Sequence, residues 1–203
     1  MKLFTIPGTC ALSVHVVLEW LGVPYAIEVM SRGSNRTENY LAINPSGQVP
    51  AFLLDDGRVL TEAAAILVYL SDLHPEAGLG NGNDPFARYE LGQLLSYLTG
   101  EVHVAFKPYF QPARFLADES LFKALQDQAF AVLDPMLRRL DGMLAGARFI
   151  LNDRRSVADP YLYVLLRWVD NAPRGISPYP ELARYRRDLE NDGAVLRALK
   201  AQA

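Results

Sequence analysis

The order of strand-type and helix-type segments constrains the fold of this chain more than any single motif does. Within the first 75 residues, short apolar runs typical of strands alternate with segments whose apolar residues recur at helical spacing. The predicted elements are a strand at 2–6, a helix at 12–21, a strand at 25–30, a short helix at 38–43, a hairpin at 51–60 that turns at Asp56-Gly57, and a helix at 61–74. Beyond residue 84 only helical periodicities are present. The pattern predicts a small α/β domain followed by an all-helical domain.

The stretch "EAGLGNGND" at 76–84 has the composition of a linker, and we place the two domains at 1–77 and 84–203. Helices are predicted in the second domain at 86–106, at 119–145, from Ser156 onward, at 180–190 and at 192–201. The residues predicted to form the buried stripe of the helix at 119–145 are Leu121, Leu125, Val132, Met136, Leu140 and Leu144. Pro135 lies within this stripe and predicts a kink or a restart. Ser156 and Asp159 have the spacing of a capping box.

The composition excludes several classes of protein. Half of the 203 residues are hydrophobic and 21% are charged, which is typical of a soluble globular protein. A net charge of −3 argues against general nucleic-acid binding. No apolar run is long enough to span a membrane, and the N-terminus does not have the pattern of a signal peptide. A single cysteine cannot form an internal disulfide, so we expect a cytoplasmic protein.

That cysteine, Cys10, lies where the loop Pro7-Gly8-Thr9 becomes a helix. Unpaired N–H groups and the positive end of the helix dipole would favour the thiolate and lower the pKa of the thiol below its ordinary value. The segment "CALS" also has the Cys-x-x-Ser spacing of single-thiol redox motifs. A small buried side chain at a loop–helix junction is an equally good interpretation of the same position.

Two further stretches have a binding and a structural interpretation each. In "NPSGQVPAF", the Val49-Pro50 bond precedes a strand and could be cis, with its backbone turned toward an extended peptide ligand, although a trans bond is the commoner case. In "LTEAAA", Thr61 is predicted to cap a helix whose first turn, with Glu62 and Ala63, could bind both ends of an amino acid. An acidic residue in a first helical turn is also common without any ligand.

The histidines do not form a metal site with the cysteine, because the three are scattered along the chain. His103, in "GEVHVAF", lies within a predicted helix, where a lone histidine is usually structural. The sequence contains no P-loop, no dinucleotide-binding fingerprint and no Gly-x-Ser-x-Gly elbow.

Five stretches taken in order resemble a bacterial beta-class glutathione transferase: "MKLFTIPGTCALS", "NPSGQVPAFLLDDG", "LTEAAAILVYL", "GEVHVAF" and "SVADPYLYVLLRW". The resemblance implies a thioredoxin-like N-terminal domain, a helical-bundle C-terminal domain, and a homodimer with active sites near the subunit interface. It implies glutathione as co-substrate and no metal. It also implies that Cys10 and His103 lie at the glutathione sulfur, and that Val49-Pro50 is cis.

The resemblance implies a set of glutathione-binding residues: Arg32, Gln48, Val49, Pro50, Glu62, Ala63 and Ser96. The residues expected to form the acceptor pocket are Pro7, Thr9, Phe106, Tyr109 and Trp168. The chain departs from the family pattern where Thr5 replaces a Tyr, Ala11 and Ala63 each replace a Ser, Ser46 replaces a Lys and Ser96 replaces an Asn.

Three functions are compatible with this pattern. The first is conjugation of the glutathione thiol to small, hydrophobic electrophiles, as in detoxification. The second is a glutathione-dependent thiol–disulfide reductase acting through Cys10. The third is a non-catalytic dimeric interaction protein of the same fold.

Overall fold

The structure is a computed structural model that describes residues 1–170, 172 and 175–203. Its four strands are β1 (Lys2–Thr5), β2 (Ala26–Val29), β3 (Ala51–Leu53) and β4 (Val59–Thr61). They form one mixed sheet in the order β2-β1-β3-β4, in which β1 runs parallel to β2 and antiparallel to β3. Strands β3 and β4 form the predicted hairpin. The alternation of elements predicted an α/β domain, and this sheet has the thioredoxin-like arrangement that the family resemblance implied.

The described helices are α1 (Ala11–Leu21), α2 (Glu38–Ile43), α3 (Ala63–Leu73), α4 (Pro85–Tyr97), α5 (His103–Ala105), α6 (Lys107–Phe110), α7 (Phe122–Met143), α8 (Ala158–Asp170), α9 (Pro180–Glu190) and α10 (Gly193–Ala201). The described part of the chain after residue 84 contains no strand, and only one isolated bridge joins Leu151 to Arg154. The prediction of an α/β domain followed by an all-helical domain is confirmed.

Helix α1 connects the two halves of the molecule. Its residues 11–18 are buried, and it contacts α3 of its own domain as well as α8 and α10 of the helical domain. Residues of both domains therefore form one continuous apolar core. The predicted linker is also held in place, because Leu79 is buried and its carbonyl accepts a hydrogen bond from Val157 N–H at 3.1 Å. The boundaries at 77 and 84 stay a prediction.

The capping box at the start of α8 is confirmed. One carboxylate oxygen of Asp159 accepts the Ser156 N–H at 2.6 Å and the Ser156 hydroxyl at 3.1 Å. The other oxygen accepts the Tyr185 hydroxyl at 2.6 Å and the Ile150 N–H at 3.2 Å. Asp159 is fully buried, so these donors replace the water that a carboxylate normally binds.

The predicted buried stripe of α7 is only partly correct. Leu140 and Leu144 are buried as predicted, but Leu121 and Val132 are exposed. The other buried residues of the helix are Ala129, Leu133 and Leu137. The helix does not restart at Pro135, and a kink there stays a prediction. A proline within a helix removes one N–H donor from the ladder of backbone hydrogen bonds.

The single helix predicted at 86–106 is divided. Helix α4 ends at Tyr97, and a π-helical turn from Leu98 to Val102 leads into the short α5, which begins at His103. Such π-turns rotate the following residues relative to a regular helix and often occur at functional sites. None of the helices in the described ranges combines the length and hydrophobicity that crossing a bilayer requires.

Candidate active site

Cys10 lies at the end of the loop that leads from β1 to α1. The loop is closed by two hydrogen bonds from Thr9 to the Ile6 carbonyl, from its N–H at 3.2 Å and from its hydroxyl at 2.7 Å. Cys10 is the N-cap residue of α1, but its side chain makes no capping hydrogen bond. The thiol instead donates to the Val49 carbonyl, with a distance of 3.7 Å between the sulfur and the oxygen.

This geometry overturns the prediction that the Cys10 thiol is acidic. Burial raises the pKa of the thiol to about 12 and outweighs the backbone N–H of Cys10, which lowers the pKa, while the negative charge of Glu62 raises it further. The partner of the sulfur is a carbonyl oxygen, which favours the protonated thiol, whereas a helix N–H would favour the thiolate. Cys10 is therefore a neutral hydrogen-bond donor.

The Val49-Pro50 peptide bond is cis, as the resemblance implied and against the commoner case. The preceding turn is fixed at the Gln48 carbonyl, which accepts hydrogen bonds from the Tyr40 hydroxyl at 2.6 Å and from Asn44 Nδ2 at 2.8 Å. The Gln48 side chain is exposed and Pro50 is buried. The turn thus holds the Val49 backbone beside Cys10.

Glu62 is the N-cap residue of α3, so the prediction that Thr61 caps this helix is wrong. Its backbone has a φ of 64°, in a region that residues other than glycine seldom adopt. Residues held in such conformations cluster at ligand-binding sites. The side chain of Glu62 is exposed, and Ala63 places the first N–H of α3 next to it. The structure therefore places an anionic group and a helix N-terminus side by side.

Two arginines border this part of the site. A β-carbon built on Gly8 would lie 3.7 Å from Arg32 Nη2, which places the Arg32 guanidinium beside the loop that carries Cys10. A β-carbon built on Gly47 would lie 2.7 Å from Arg36 Nη1, so Arg36 packs directly on the turn that precedes Gln48. Arg32 therefore lies beside the Cys10 loop, and Arg36 lies beside the turn that precedes the cis proline.

The helical domain contributes an aromatic group to the same place. His103 Nδ1 lies 2.6 Å from the Tyr161 hydroxyl, and the ring centroids of His103 and Trp168 are 4.8 Å apart. Trp168 Nε1 donates to the Gly8 carbonyl at 2.9 Å, which fixes this group against the Cys10 loop. Burial, assisted by Lys107, lowers the pKa of His103 to about 4, so its imidazole is neutral at neutral pH.

The residues predicted for the acceptor pocket differ in their accessibility. Pro7 is exposed and Thr9 and Trp168 are half-buried, but Phe106 is only 1% exposed and packs behind Trp168, with the ring centroids 5.5 Å apart. Phe106 therefore supports the pocket and does not line it. Tyr109 packs on Phe130 with a centroid distance of 4.7 Å and is also half-buried.

Two residues at the site were not predicted. Phe110 is 46% exposed and its ring lies 5.6 Å from that of Trp168, so it offers an apolar surface where Phe106 does not. Tyr161 lies in α8 seven residues before Trp168, and this spacing places both on one face of the helix. That spacing was the signal in the sequence that could have identified Tyr161.

Ser96 does not lie with the other predicted residues. It lines a surface cavity of about 570 Å³ whose other lining residues are Tyr89, Gly92, Gln93, Tyr97, Glu101 and Arg139. All of them belong to the helical domain. The proposed role of Ser96 in binding glutathione stays a prediction that this geometry does not support.

Thr5 and Ala11, where the chain departs from the family pattern, are fully buried. The Thr5 hydroxyl is directed to Gln202 Oε1 at 3.4 Å. It is therefore engaged within the protein. Within the residues that the structure describes, no group of three or more His, Cys, Asp and Glu side chains is arranged to hold a metal ion.

The comparisons with known proteins agree with this geometry. A family model described as "Glutathione S-transferase, N-terminal domain" matches residues 8–73, and one described as "Glutathione S-transferase, C-terminal domain" matches residues 123–188. A glutathione S-transferase of Xanthomonas campestris pv. campestris is 33% identical over 202 residues, which cover 100% of this chain and 98% of the relative.

Solved structures extend the similarity to three dimensions. A sphingomonad glutathione S-transferase complexed with glutathione is 38% identical, with a TM-score of 0.88, and covers 100% of this chain and 98% of its own. A bacterial beta-class glutathione S-transferase of Sphingomonas chungbukensis is 35% identical, with a TM-score of 0.88 and coverage of 100% and 99%. On these matches, the chain belongs to the glutathione S-transferase family, and the sequence resemblance to the beta class is confirmed.

Proposed function

We propose that this glutathione transferase joins the thiol of glutathione to small, hydrophobic electrophiles in a cleft between the Cys10 loop and the aromatic group of the helical domain. The observation that carries the proposal is the hydrogen bond from Trp168 to the Gly8 carbonyl. It brings an apolar surface, a neutral imidazole and the Cys10 helix start to one place.

The charges along the cleft match those of glutathione. The exposed carboxylate of Glu62 suits the ammonium of the γ-glutamyl group, and the first N–H groups of α3, beginning at Ala63, suit its carboxylate. The backbone of Val49, which the cis-proline turn holds beside Cys10, suits the cysteinyl part of the peptide. Arg32 suits the carboxylate of the terminal glycine. In the proposed orientation, the glutathione sulfur lies between Cys10 and His103.

In the reaction, the thiol of bound glutathione loses its proton to solvent, and the thiolate attacks the electrophilic carbon. A new S–C bond forms while the bond to the leaving group breaks, and the leaving group takes the bonding electrons. The protein contributes by stabilising the thiolate and by orienting the acceptor against Trp168 and Phe110. In the complex the Cys10 thiol, whose pKa is raised by burial, keeps its proton, and its S–H turns from the Val49 carbonyl to donate to the thiolate.

The protonated state of Cys10 favours conjugation over thiol–disulfide reduction. A reductase would need Cys10 itself as a thiolate nucleophile, but its burial and its hydrogen bond to the Val49 carbonyl favour the thiol.

Calorimetric titration with glutathione, together with a conjugation assay on an activated aryl halide, tests the proposal. We expect both the wild type and Cys10→Ala to bind glutathione and to form the conjugate. Loss of both properties in Cys10→Ala alone would favour covalent chemistry at Cys10. Absence of binding by the wild type at millimolar glutathione would overturn the enzymatic function and favour a non-catalytic interaction protein.

We also propose that the protein acts as a cytoplasmic homodimer in detoxification. Phe86 and Tyr89 at the start of α4 support dimerisation, because they are 65% and 57% exposed and their rings lie 5.9 Å apart. We expect Phe86→Glu with Tyr89→Glu to halve the mass measured by sedimentation. The control Leu196→Glu changes an exposed leucine of α10 and is expected to leave the mass unchanged. A monomeric wild type would contradict the proposal.

A further inference from the structure

We infer that Tyr161 is a positioning residue that fixes His103 in the tautomer with its proton on Nε2, so that Nε2–H can donate a hydrogen bond to the glutathione thiolate. The inference rests on the proposed function for the identity of the thiolate. The tautomer itself follows from the hydrogen-bonding groups of the ligand-free protein.

The hydroxyl of Tyr161 is buried beside His103. The residue is 2% exposed, and its hydroxyl lies 2.6 Å from His103 Nδ1. No other atom of the described residues lies within hydrogen-bond distance of this hydroxyl. If Nδ1–H donated to Tyr161, the buried hydroxyl hydrogen would have no acceptor among the described residues, and an unsatisfied buried donor is costly. Tyr161 therefore donates and Nδ1 accepts.

The other ring nitrogen of His103, Nε2, carries the imidazole hydrogen. A neutral imidazole has one N–H, so acceptance at Nδ1 places the hydrogen on Nε2. Nε2 has no hydrogen-bond partner among the described residues, and it is not one of their buried unsatisfied atoms. The Nε2–H group is thus accessible to a ligand, while the ring is held from one side by Tyr161 and from the other by Trp168.

The Nε2–H group favours the deprotonated form of a bound thiol. A fixed N–H that points at a sulfur stabilises the thiolate by donating a hydrogen bond to it. The opposite tautomer would present a lone pair to the thiolate and destabilise it. The charged or titratable groups whose fields act on His103 or Tyr161 are Lys107, Cys10 and Glu62. Only Lys107 among them is cationic. Stabilisation of the thiolate therefore also depends on the neutral Nε2–H donor.

The experiment compares Tyr161→Phe with Tyr163→Phe. Tyr163 lies two residues further along α8, and its hydroxyl is also buried but has no hydrogen-bond partner in the described residues, so it serves as a matched control. In the free proteins, nitrogen NMR of the imidazole, assigned with His103→Gln, reports the tautomer. In the glutathione complexes, ultraviolet absorbance of the thiolate against pH reports the pKa of the bound thiol.

We expect the wild type and Tyr163→Phe to show the Nε2–H tautomer and the same thiol pKa. Tyr161→Phe is expected to show a mixture of tautomers and a thiol pKa raised by about one unit. This lowers kcat/KM roughly tenfold at a pH below both pKa values, and the difference disappears at a pH above both. The KM for glutathione should change little. A loss of packing alone would lower kcat/KM at every pH, so it would not produce this recovery of kcat/KM at high pH.

Either of two results would overturn the inference: an Nδ1–H tautomer in the wild type, or the same thiol pKa in Tyr161→Phe and Tyr163→Phe. Both are distinct from failure of the proposed function, in which the wild type would bind no glutathione. In that case the tautomer assignment can still be read from the free protein, but the donor role toward glutathione would be wrong.

Discussion

At the scale of single residues, the position of Cys10 at the start of α1 does not by itself decide how acidic its thiol is. A helix start lowers the pKa of a thiol only if the sulfur is directed at the free N–H groups. Here the sulfur is directed at the Val49 carbonyl, and the chain that supplies this carbonyl lies 39 residues away. No local pattern around Cys10 carries that information. The sequence could therefore identify the residue but not its protonation state.

This leads to an expectation about the reactivity of Cys10 in the free protein. With a thiol pKa of about 12, the thiolate fraction at pH 7 is on the order of 10⁻⁵. The folded state holds the proton more tightly than the unfolded chain, so alkylation by a haloacetamide should be far slower than for a model thiol peptide. The alkylation rate, followed by mass spectrometry, should still be rising with pH at pH 10. An inflection below pH 8 would show that the helix start dominates after all.

At the scale of elements, the sequence predicted which segments are helices and strands better than it predicted which face of a helix is buried. In α7, apolar residues occupy two neighbouring stripes, one through Val132 and one through Leu133. Periodicity detects both, but only contacts with other helices decide between them. The Ser156–Asp159 cap was predictable because a capping box is entirely local. By contrast, the contact of Tyr161 with His103 was not predictable, because it joins two different helices.

The cap of α8 gives an expectation for stability. Asp159→Ala leaves the N–H groups of Ser156 and Ile150 and the hydroxyl of Tyr185 without their acceptor in a buried place. We expect the free energy of unfolding, measured in urea, to fall by about 3 kcal/mol or more. The control Asp127→Ala removes an exposed ion pair with Lys123 and should cost less than about 0.5 kcal/mol. Equal losses in the two variants would contradict this role.

At the scale of the whole molecule, polar contacts between distant parts of the chain join the two domains. Gln202 Nε2 donates to His15 Nδ1 at 2.8 Å, and Gln202 Oε1 accepts from Thr5. His15 Nε2 lies 2.7 Å from the Tyr25 hydroxyl, so the buried imidazole is bonded on both sides. These partners are up to 197 residues apart. A pattern along the sequence cannot report such pairs, which is why the sequence predicted two domains but not how they dock.

Gln202→Ala tests this connection. It leaves Thr5 and His15 with unsatisfied buried groups beneath β1 and the start of α1, so we expect a loss of about 1–3 kcal/mol in unfolding free energy. Amide exchange should become faster in α1 and α10 together. Leu196→Ala, an exposed change on α10, is the control and should have little effect. Faster exchange confined to α10 would show that Gln202 does not couple the domains.

The hydrogen bond of Trp168 to Gly8 has a consequence for observing the molecule in solution. The chain has two tryptophans, and both donate their indole hydrogen across the junction of the domains, Trp168 to the Gly8 carbonyl and Trp20 to Asp192 at 3.1 Å. The fluorescence of each indole therefore reports on the junction of the domains. Trp168 lies at the cleft and Trp20 lies away from it. Ligand binding in the cleft should change the fluorescence of Trp168, whereas separation of the domains should change the fluorescence of both tryptophans.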